Sequence, residues 1–410
     1  MKYGLIASAV GHSFSAEIHK ALFGYDYELK ALKENELAEF LNAREFSAIN
    51  VTIPYKERVI EHLDYVDQMA KNIGAVNTVV NVDGKLYGYN TDFDGMSALL
   101  KHENIDLTEK KVLILGSGGT SKTAYHVSLS LGCKIAFRVS RSEKDGCITY
   151  ENAIEKHNDA EIIINTTPVG MFPDISASAI DINAFPNLCA VVDVVYNPLA
   201  PKLVTDARAK GVKAVGGLYM LVAQAAYAAE KFVNKSVPSE RIDRIYKSLF
   251  ASKQNLVLIG MPGCGKTTIG KELAKKMCFE FIDSDEEIFK ALNKTPSQII
   301  NESGENAFRD IEASVILKLS AKQGCVIATG GGAILRKENV ERLKYNGKLF
   351  FLDRDINKIL PTEDRPLSND RESLINRFNE RYDIYLASCD VHINCDDDIQ
   401  ANVNEIIKEI

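Results

Sequence analysis

Apolar residues in this chain recur in two alternating patterns: short, strand-length runs rich in Val, Ile and Leu, and longer stretches with apolar positions three and four apart. In the first part of the chain the short runs are 2–7, 25–30, 48–52, 76–82 and 86–89, and helical spacing fills 16–23, 34–42, 57–62, 66–72 and 93–103. Strands follow at 111–115, 134–139, 162–165, 191–195 and 213–215, with a helix at 123–131. Two helices, 218–235 and 240–250, are expected to return to the first domain. A third series of strands lies at 255–259, 279–282, 326–328, 349–352 and 391–394, with helices at 269–277 and 305–322 and with 381–385 on a further helix. Such alternation predicts an α/β chain with parallel sheets. The expected domains are 1–102 completed by about 218–250, then 103–217, then 254–410, with 246–255 a short polar junction.

Composition sets bounds on this picture. At ~100–200 residues per domain, 410 residues allow two to four domains. The 46% hydrophobic and 26% charged fractions are those of a globular chain with a sizeable core. The net charge is −7; residues 251–410 carry 22 basic and 26 acidic side chains, and the rest carries 27 and 30. Neither part has the basic excess of a nucleic-acid binder. The eight cysteines form no C-x-x-C pair and read as reduced thiols of a cytoplasmic protein. The N-terminal run is broken by Gly4 and Ser8 and reads as a first strand, not a signal peptide. No run reaches the ~18 apolar residues of a membrane span, and the seven histidines lack ligand spacing. The expectation is no nucleic acid, no membrane and no metal held by protein ligands alone. The oligomeric state is open.

Candidate chemistry concentrates after strands. Gly260-Met261-Pro262-Gly263-Cys264-Gly265-Lys266-Thr267-Thr268 stands between a strand and a helix, the setting that makes G-x-x-x-x-G-K-[ST] a phosphate cradle. Gly260, Gly263 and Gly265 let backbone N–H groups turn toward phosphate oxygens, and Thr268 at the end of the loop is a further candidate for binding the nucleotide. Lys266 would reach the outer phosphates and the Thr267 hydroxyl would hold Mg2+. Asp283-Ser284-Asp285 places alternate carboxylates at a strand tip, suited to a metal and to sugar hydroxyls; helix capping is the alternative reading. Arg309 and Glu312 share a helix face. Gly330-Gly331-Gly332 at another strand tip admits close approach of a ligand. The turn-rich 361–370 reads as a lid.

Upstream, the strand 111–115 runs into Gly116-Ser117-Gly118-Gly119-Thr120-Ser121-Lys122 and a helix, the opening of a dinucleotide-binding unit, although the last glycine of the fingerprint is Ser121. The second strand ends in Ser140-Arg141-Ser142; an arginine there suits a 2′-phosphate and favours NADP over NAD. In the first part, Ser15 reads as a helix N-cap, Pro54 as a first helical position with Lys56 in the first turn, and Thr91 or Asp92 as caps of the next helix.

The set Gly11-His12-Ser13-Phe14-Ser15, Asn50-Val51-Thr52-Ile53-Pro54-Tyr55-Lys56, Gly74-Ala75-Val76-Asn77-Thr78 and Gly88-Tyr89-Asn90-Thr91-Asp92, with the Gly116 loop and Met220 to Ala225, resembles the shikimate dehydrogenase family over residues 1 to about 248. The resemblance implies that Ser13, Ser15, Thr52, Asn77, Asp92 and Gln224 hold substrate. Lys56 and Asp92 would be the catalytic pair. Gly116, Gly118, Gly119, Ser140, Arg141 and Gly217 would bind NADP(H), with Tyr196 beside nicotinamide and substrate. Ser140, Pro201 and Ala16 depart from the family's usual Asn, Thr and Pro, which implies altered cofactor affinity rather than lost activity.

Residues 254–410 resemble shikimate kinase through the Gly260 loop, Asp283 and Asp285, Phe308-Arg309, Gly330 to Gly332, Arg365-Pro366-Leu367 and Arg381 to Tyr385. That resemblance implies that Asp285, Arg309, Gly331, Gly332 and Arg381 bind shikimate, that Arg365 closes onto the phosphates, and that Asp283 orders Mg2+. The implied fold is a two-lobed dehydrogenase with a Rossmann-like NADP domain, then a P-loop kinase on a central parallel sheet. The implied function is reduction of 3-dehydroshikimate by NADPH and phosphorylation of shikimate by ATP with Mg2+. Alternatives are one degenerate half, a preference for quinate, or a metabolite-sensing regulator.

Overall fold

The computed structural model describes residues 1–11, 13–359, 370–395 and 398–410. Arg365 of the expected lid, and His12, lie outside the described residues. The chain divides into two compact units: residues 1–197 with 206–249, and residues 198–205 with 250–410. Among the described residues no helix is long and apolar enough to cross a membrane.

The first unit holds two six-stranded sheets. One runs Glu28–Ala31, Tyr3–Ala7, Ala48–Val51, Thr78–Val82, Lys85–Tyr89, Tyr65–Val66 and is mixed: the first three strands are parallel, and Ala48–Val51, Thr78–Val82 and Lys85–Tyr89 pair antiparallel. Its core is Ile6, Leu41, Ile49, Val51, Tyr55, Val79 and Leu86. The other is parallel, in the order Lys213–Val215, Ala190–Asp193, Ile162–Asn165, Lys111–Leu115, Ile135–Ser140, Ile148–Thr149. Its direction of winding reverses beside Lys111–Leu115, the crevice where such sheets bind ligands. Helix Leu218–Val233 packs along helices Thr91–His102 and Ser15–Phe23 of the first lobe. Gly95 permits this, since a Cβ there would stand 2.7 Å from that of Gln224.

The second unit is a five-stranded parallel sheet, ordered Glu280–Asp283, Cys325–Ala328, Asn255–Ile259, Gly347–Arg354, Val391–Cys395. Asn255–Ile259 and Cys325–Ala328 bury every side chain and Gly347–Arg354 its apolar centre, Leu349 to Leu352, as continuous apolar runs in a sheet covered on both faces must. Residues 198–205 join this unit: Leu199 N donates to Asn346 Oδ1 at 2.9 Å and Ala200 N to the Tyr345 carbonyl at 2.8 Å.

Several local expectations change. Pro54 follows a cis peptide bond and lies in a turn; the short 3-10 helix begins only at Arg58, so Lys56 is not in a helical first turn. Ser15 is the first helical residue rather than the cap. The cap of Thr91–His102 is Asn90, whose Oδ1 accepts from Phe93 N at 3.2 Å, leaving Thr91 and Asp92 inside the helix. The expected helix 66–72 is a two-residue strand, Tyr65–Val66, followed by helix Gln68–Ile73. The expected polar junction is helical, because Ile242, Ile245 and Leu249 keep the three-four spacing through Ser239–Lys253. The helix expected at 305–322 begins at Pro296 and kinks at Gly304, whose φ of 86° favours glycine.

Candidate active sites

In the first unit Lys56 is aimed by its neighbour. Tyr55 is buried and its hydroxyl donates to the Leu32 carbonyl at 2.6 Å, which turns the next side chain to the opposite side. Val76 N fixes the Lys56 carbonyl at 2.7 Å. Lys56 Nζ then donates to Asp92 Oδ2 at 2.6 Å, with both side chains largely buried. The other oxygen of Asp92 accepts from Asn77 Nδ2 at 2.9 Å. Asn77 has its amide orientation set by Thr91 N, which donates to Asn77 Oδ1 at 2.7 Å, and its Nδ2 also lies 3.4 Å from Gln224 Oε1. A lysine, an aspartate and two amides 147 positions apart in sequence thus form one connected polar group. The arrangement directs Nζ, so that an N–H of Lys56 can be presented to a bound oxygen.

Ser13 Oγ donates to Ser15 Oγ at 3.1 Å and accepts from Ser15 N at 3.2 Å. The ring of Phe14 between them lies 5.3 Å from that of Tyr196, whose phenol burial pushes up in pKa. Thr52 is held by its backbone, N to the Ile6 carbonyl at 3.1 Å.

The Gly116 loop has Gly116 at φ 125°, and Gly118 has nothing within 4 Å of a would-be Cβ, so its backbone is open to a diphosphate. Ser121, in place of the third glycine, closes the loop instead: its N and Oγ both donate to the Gly118 carbonyl. Ser140 Oγ accepts from Ser142 N at 3.2 Å and shapes the turn from which the exposed Arg141 projects, an arrangement that fits a 2′-phosphate. Gly217 lies against Val194, with a would-be Cβ 2.5 Å from that carbonyl carbon. Beneath it Asp193 is fully buried, accepts two bonds of 3.0 Å from Asn165 Nδ2, and is pushed up to about 7 by burial, against the pull of those bonds and of Val195 N.

In the second unit the loop after Asn255–Ile259 has Gly260, Gly263 and Gly265 at φ 145°, 85° and 102°. Lys266 is buried and donates to the Gly260 and Met261 carbonyls, both at 2.9 Å, with no carboxylate partner among the described residues. A buried ammonium without a counter-ion beside inward-turned backbone fits a phosphate group. Thr267 Oγ1 donates to Asp283 Oδ2 at 3.0 Å, while Asp283 Oδ1 caps the next helix through Asp285 N. Capping and the Thr267 contact therefore coexist at Asp283. Among the described residues no three His, Cys, Asp or Glu could hold a metal together. Thr267 and Asp283 offer hard oxygens, and a Mg2+ there would draw its remaining ligands from water and phosphate.

Gly263, Gly265, Lys266, Thr267 and Asp283 line one cavity of about 770 Å³, which Thr268 and Asp285 also face. Across it Arg309 donates to Glu312 at 2.7 Å and to Glu305 at 2.9 Å. Burial pushes the Glu312 carboxyl up, opposed by Arg309 and reinforced by Asp285, and its Oε1 has no hydrogen-bond partner among the described residues. Arg381 Nη1 donates to the Gly331 carbonyl at 3.1 Å, so one arginine is braced on the glycine strand tip. A Cβ at Gly331 would meet the Pro262 ring at 2.6 Å, and one at Gly332 would meet the Arg309 guanidinium. Two further residues were not picked out from sequence. Arg377, one turn before Arg381 on helix Arg371–Ser388, also lines the cavity. Its guanidinium is pushed down by burial and then by Arg381 and makes no ion pair with a described residue. The i, i+4 spacing to Arg381 was the available signal. In the first unit Thr120 Oγ1 accepts from Lys56 Nζ at 3.2 Å.

Both parts of the chain are similar to known proteins. Residues 5–79 match the family described as the shikimate dehydrogenase substrate binding domain, and residues 262–410 match shikimate kinase. Shikimate dehydrogenase (NADP(+)) of Clostridium perfringens is 36% identical over 264 residues, covering 60% of this chain and 97% of that protein. The crystal structure of shikimate dehydrogenase 1 from Peptoclostridium difficile has a TM-score of 0.57 at 33% identity, covering 61% of this chain and 98% of that one. Shikimate 5-dehydrogenase of Thermus thermophilus, in complex with NADP(H) and shikimate, has a TM-score of 0.55 at 30% identity, covering 60% and 99%. The chain belongs to the shikimate dehydrogenase family and carries a shikimate kinase domain at its C-terminal end.

Proposed function

We propose that this enzyme performs two consecutive reactions on one carboxylated ring: NADPH-dependent reduction of 3-dehydroshikimate to shikimate, and ATP-dependent phosphorylation of the shikimate 3-hydroxyl. The observation that carries the first is the Lys56–Asp92 pair, 2.6 Å apart and tied to Asn77 and Gln224. The second rests on the buried Lys266, held by the carbonyls of its own glycine loop and sharing a cavity with Asp285, Arg309 and Arg381. Domains 1–102 with about 218–250, 103–217 and 254–410 serve substrate, NADP and kinase roles.

Bound NADPH supplies a hydride, and bound ATP with Mg2+ supplies the phosphoryl group. In the first unit Ser13 and Ser15 hold the ring carboxylate by hydroxyl donation, and Thr52, Asn77 and Gln224 hold its hydroxyls. Lys56 Nζ delivers a proton to the substrate oxygen, and Asp92 keeps Nζ charged and aimed. Gly116, Gly118 and Gly119 present backbone to the diphosphate, Ser140 and Arg141 take the 2′-phosphate, and Gly217 and Tyr196 border the nicotinamide. In the second unit Arg309 and Arg381 grip the carboxylate as paired guanidinium forks. Asp285 orients and deprotonates the attacking hydroxyl, with Gly331 and Gly332 letting the ring approach backbone. Lys266, Thr267, Thr268 and Asp283 bind phosphate and metal, and Arg365 contributes charge from the lid. Positioning and charge neutralisation are the main demands of phosphoryl transfer. The setting is cytoplasmic, with small-molecule substrates as partners.

Purified protein should show shikimate-dependent NADP+ reduction and shikimate-dependent ADP release. Lys56→Ala should abolish only the first and Lys266→Ala only the second. Absence of either parent activity removes that half of the proposal. A side-by-side assay with quinate separates the alternative substrate, and binding without turnover would indicate a sensor.

A further inference from the structure

We infer that Thr120 is a positioning residue for Lys56, so that the turn opening the cofactor loop's helix also aims the proton donor. The inference rests on the reading of Lys56 as that donor. An ammonium group has three N–H donors. Asp92 Oδ2 takes one of those of Lys56 at 2.6 Å, and Thr120 Oγ1 takes a second at 3.2 Å. The third is thereby restricted in direction, and it remains for the substrate oxygen. With Asp92 alone, Nζ could swivel about a single contact and present either remaining proton over a wide arc.

The surroundings make Thr120 suited to this. Gly119 lies flat against the lysine stem, where a Cβ would stand 3.4 Å from that of Lys56 and 3.2 Å from that of Ala75. That close approach brings the next side chain within reach of Nζ. Threonine is stiff at χ1, so its hydroxyl has few positions to choose from. The same helical turn is pinned to the substrate lobe twice more: Lys122 Nζ to Glu57 Oε2 at 2.7 Å, and Asn90 Nδ2 to Thr123 Oγ1 at 3.2 Å. The neighbouring charges are thus already assigned, Asp92 to Lys56 and Glu57 to Lys122. An alanine or glycine at 120 would keep the loop's backbone geometry and lose this contact, so the loop motif by itself does not require the hydroxyl.

The test uses the full chain with Thr120→Val, Thr120→Ala and Thr120→Ser, measuring kcat and both KM values for shikimate oxidation. Kinase turnover in the same preparation sets the enzyme concentration, and a far-UV circular dichroism melt together with the two KM values reports that the first unit is folded. At 3.2 Å the Thr120 contact is at the long end of the hydrogen-bond range, so its loss falls at the lower end of the effect for a bond to a charged group, about 10-fold. Val and Ala should therefore lower kcat about 10-fold with both KM values within about twofold, and Ser should restore most of it. Two independent hydroxyl-free side chains guard against a packing defect peculiar to one. An unchanged kcat in both overturns the inference, as does a rise in the NADP+ KM at constant kcat, which would make Thr120 a cofactor ligand. Serine failing as badly as valine overturns it too, by assigning the effect to packing. If the parent itself does not oxidise shikimate, the reading of Lys56 fails rather than that of Thr120.

Discussion

Replacing Gly332 with alanine would put a methyl carbon 2.5 Å from Cζ and Nη1 of Arg309. Backbone cannot yield easily at a strand tip, so the long side chain must retreat. Arg309 is engaged on both sides, 2.7 Å from Glu312 and 2.9 Å from Glu305. Its retreat would strip a charge-assisted bond from Glu312, which is 1% exposed and already has one oxygen without a partner among the described residues. It would also remove one grip on the substrate carboxylate. A hydrogen bond to a charged group contributes about 1.5–3 kcal/mol, and ~1.4 kcal/mol is one decade, so the KM for shikimate should rise about 10–100-fold. The KM for ATP should stay within about twofold, because Lys266 is held by the carbonyls of its own loop. Steady-state kinase assays at varied shikimate and ATP measure both, with the ATP KM and a far-UV circular dichroism melt as the controls for folding of the second unit. Pairing the substitution with Arg309→Ala makes the reasoning strict: if Gly332→Ala acts by displacing Arg309, it should add little in that background. An unchanged shikimate KM, or full additivity of the two changes, would refute it.

Two other outcomes follow from the buried charges. Arg377→Leu, which removes the cavity's third guanidinium, should raise the shikimate KM about 5-fold at low salt, with the difference shrinking as ionic strength rises; a KM independent of the substitution counts against a substrate role for it. Asp193 binds its proton more tightly folded, at about 7, than unfolded, at 3.8, so its stabilisation is complete below about pH 4 and is lost as pH rises through 7. Three units correspond to about 4 kcal/mol, and Asp193→Asn, which cannot ionise, should gain up to that much on the parent between pH 4 and 8 in denaturant melts of the first unit. His19, pushed down to about 3 by burial, has the opposite slope between 6.5 and 3, so the difference between variant and parent isolates Asp193; parallel curves would show that Asp193 does not titrate in this window.

What the sequence determined by itself was the local chemistry. The strands 111–115, 162–165 and 255–259 were legible to the residue, because apolar runs between turn signals can be buried on both faces only as inner parallel strands. Both glycine loops were legible too, since strand, loop and helix are contiguous and their spacing carries the geometry. Local competition was harder to read. Asn90 won the cap from Thr91 and Asp92, and the helix through 246–253 hid beneath polar residues.

Tertiary structure alone decided which side chains meet. Lys56 faces Asp92 across 36 positions and Asn77 reaches Gln224 across 147, through packing of helix Leu218–Val233 on Thr91–His102 that no local pattern records. It also set the charges: Asp193 lies in a buried carboxylate's environment and Glu312 is left with an oxygen bare of partners among the described residues, while a sequence shows only two acids. Burial depends on every element that covers a residue, and so do the energies of proton and anion binding; they are properties of the assembled core and not of any segment.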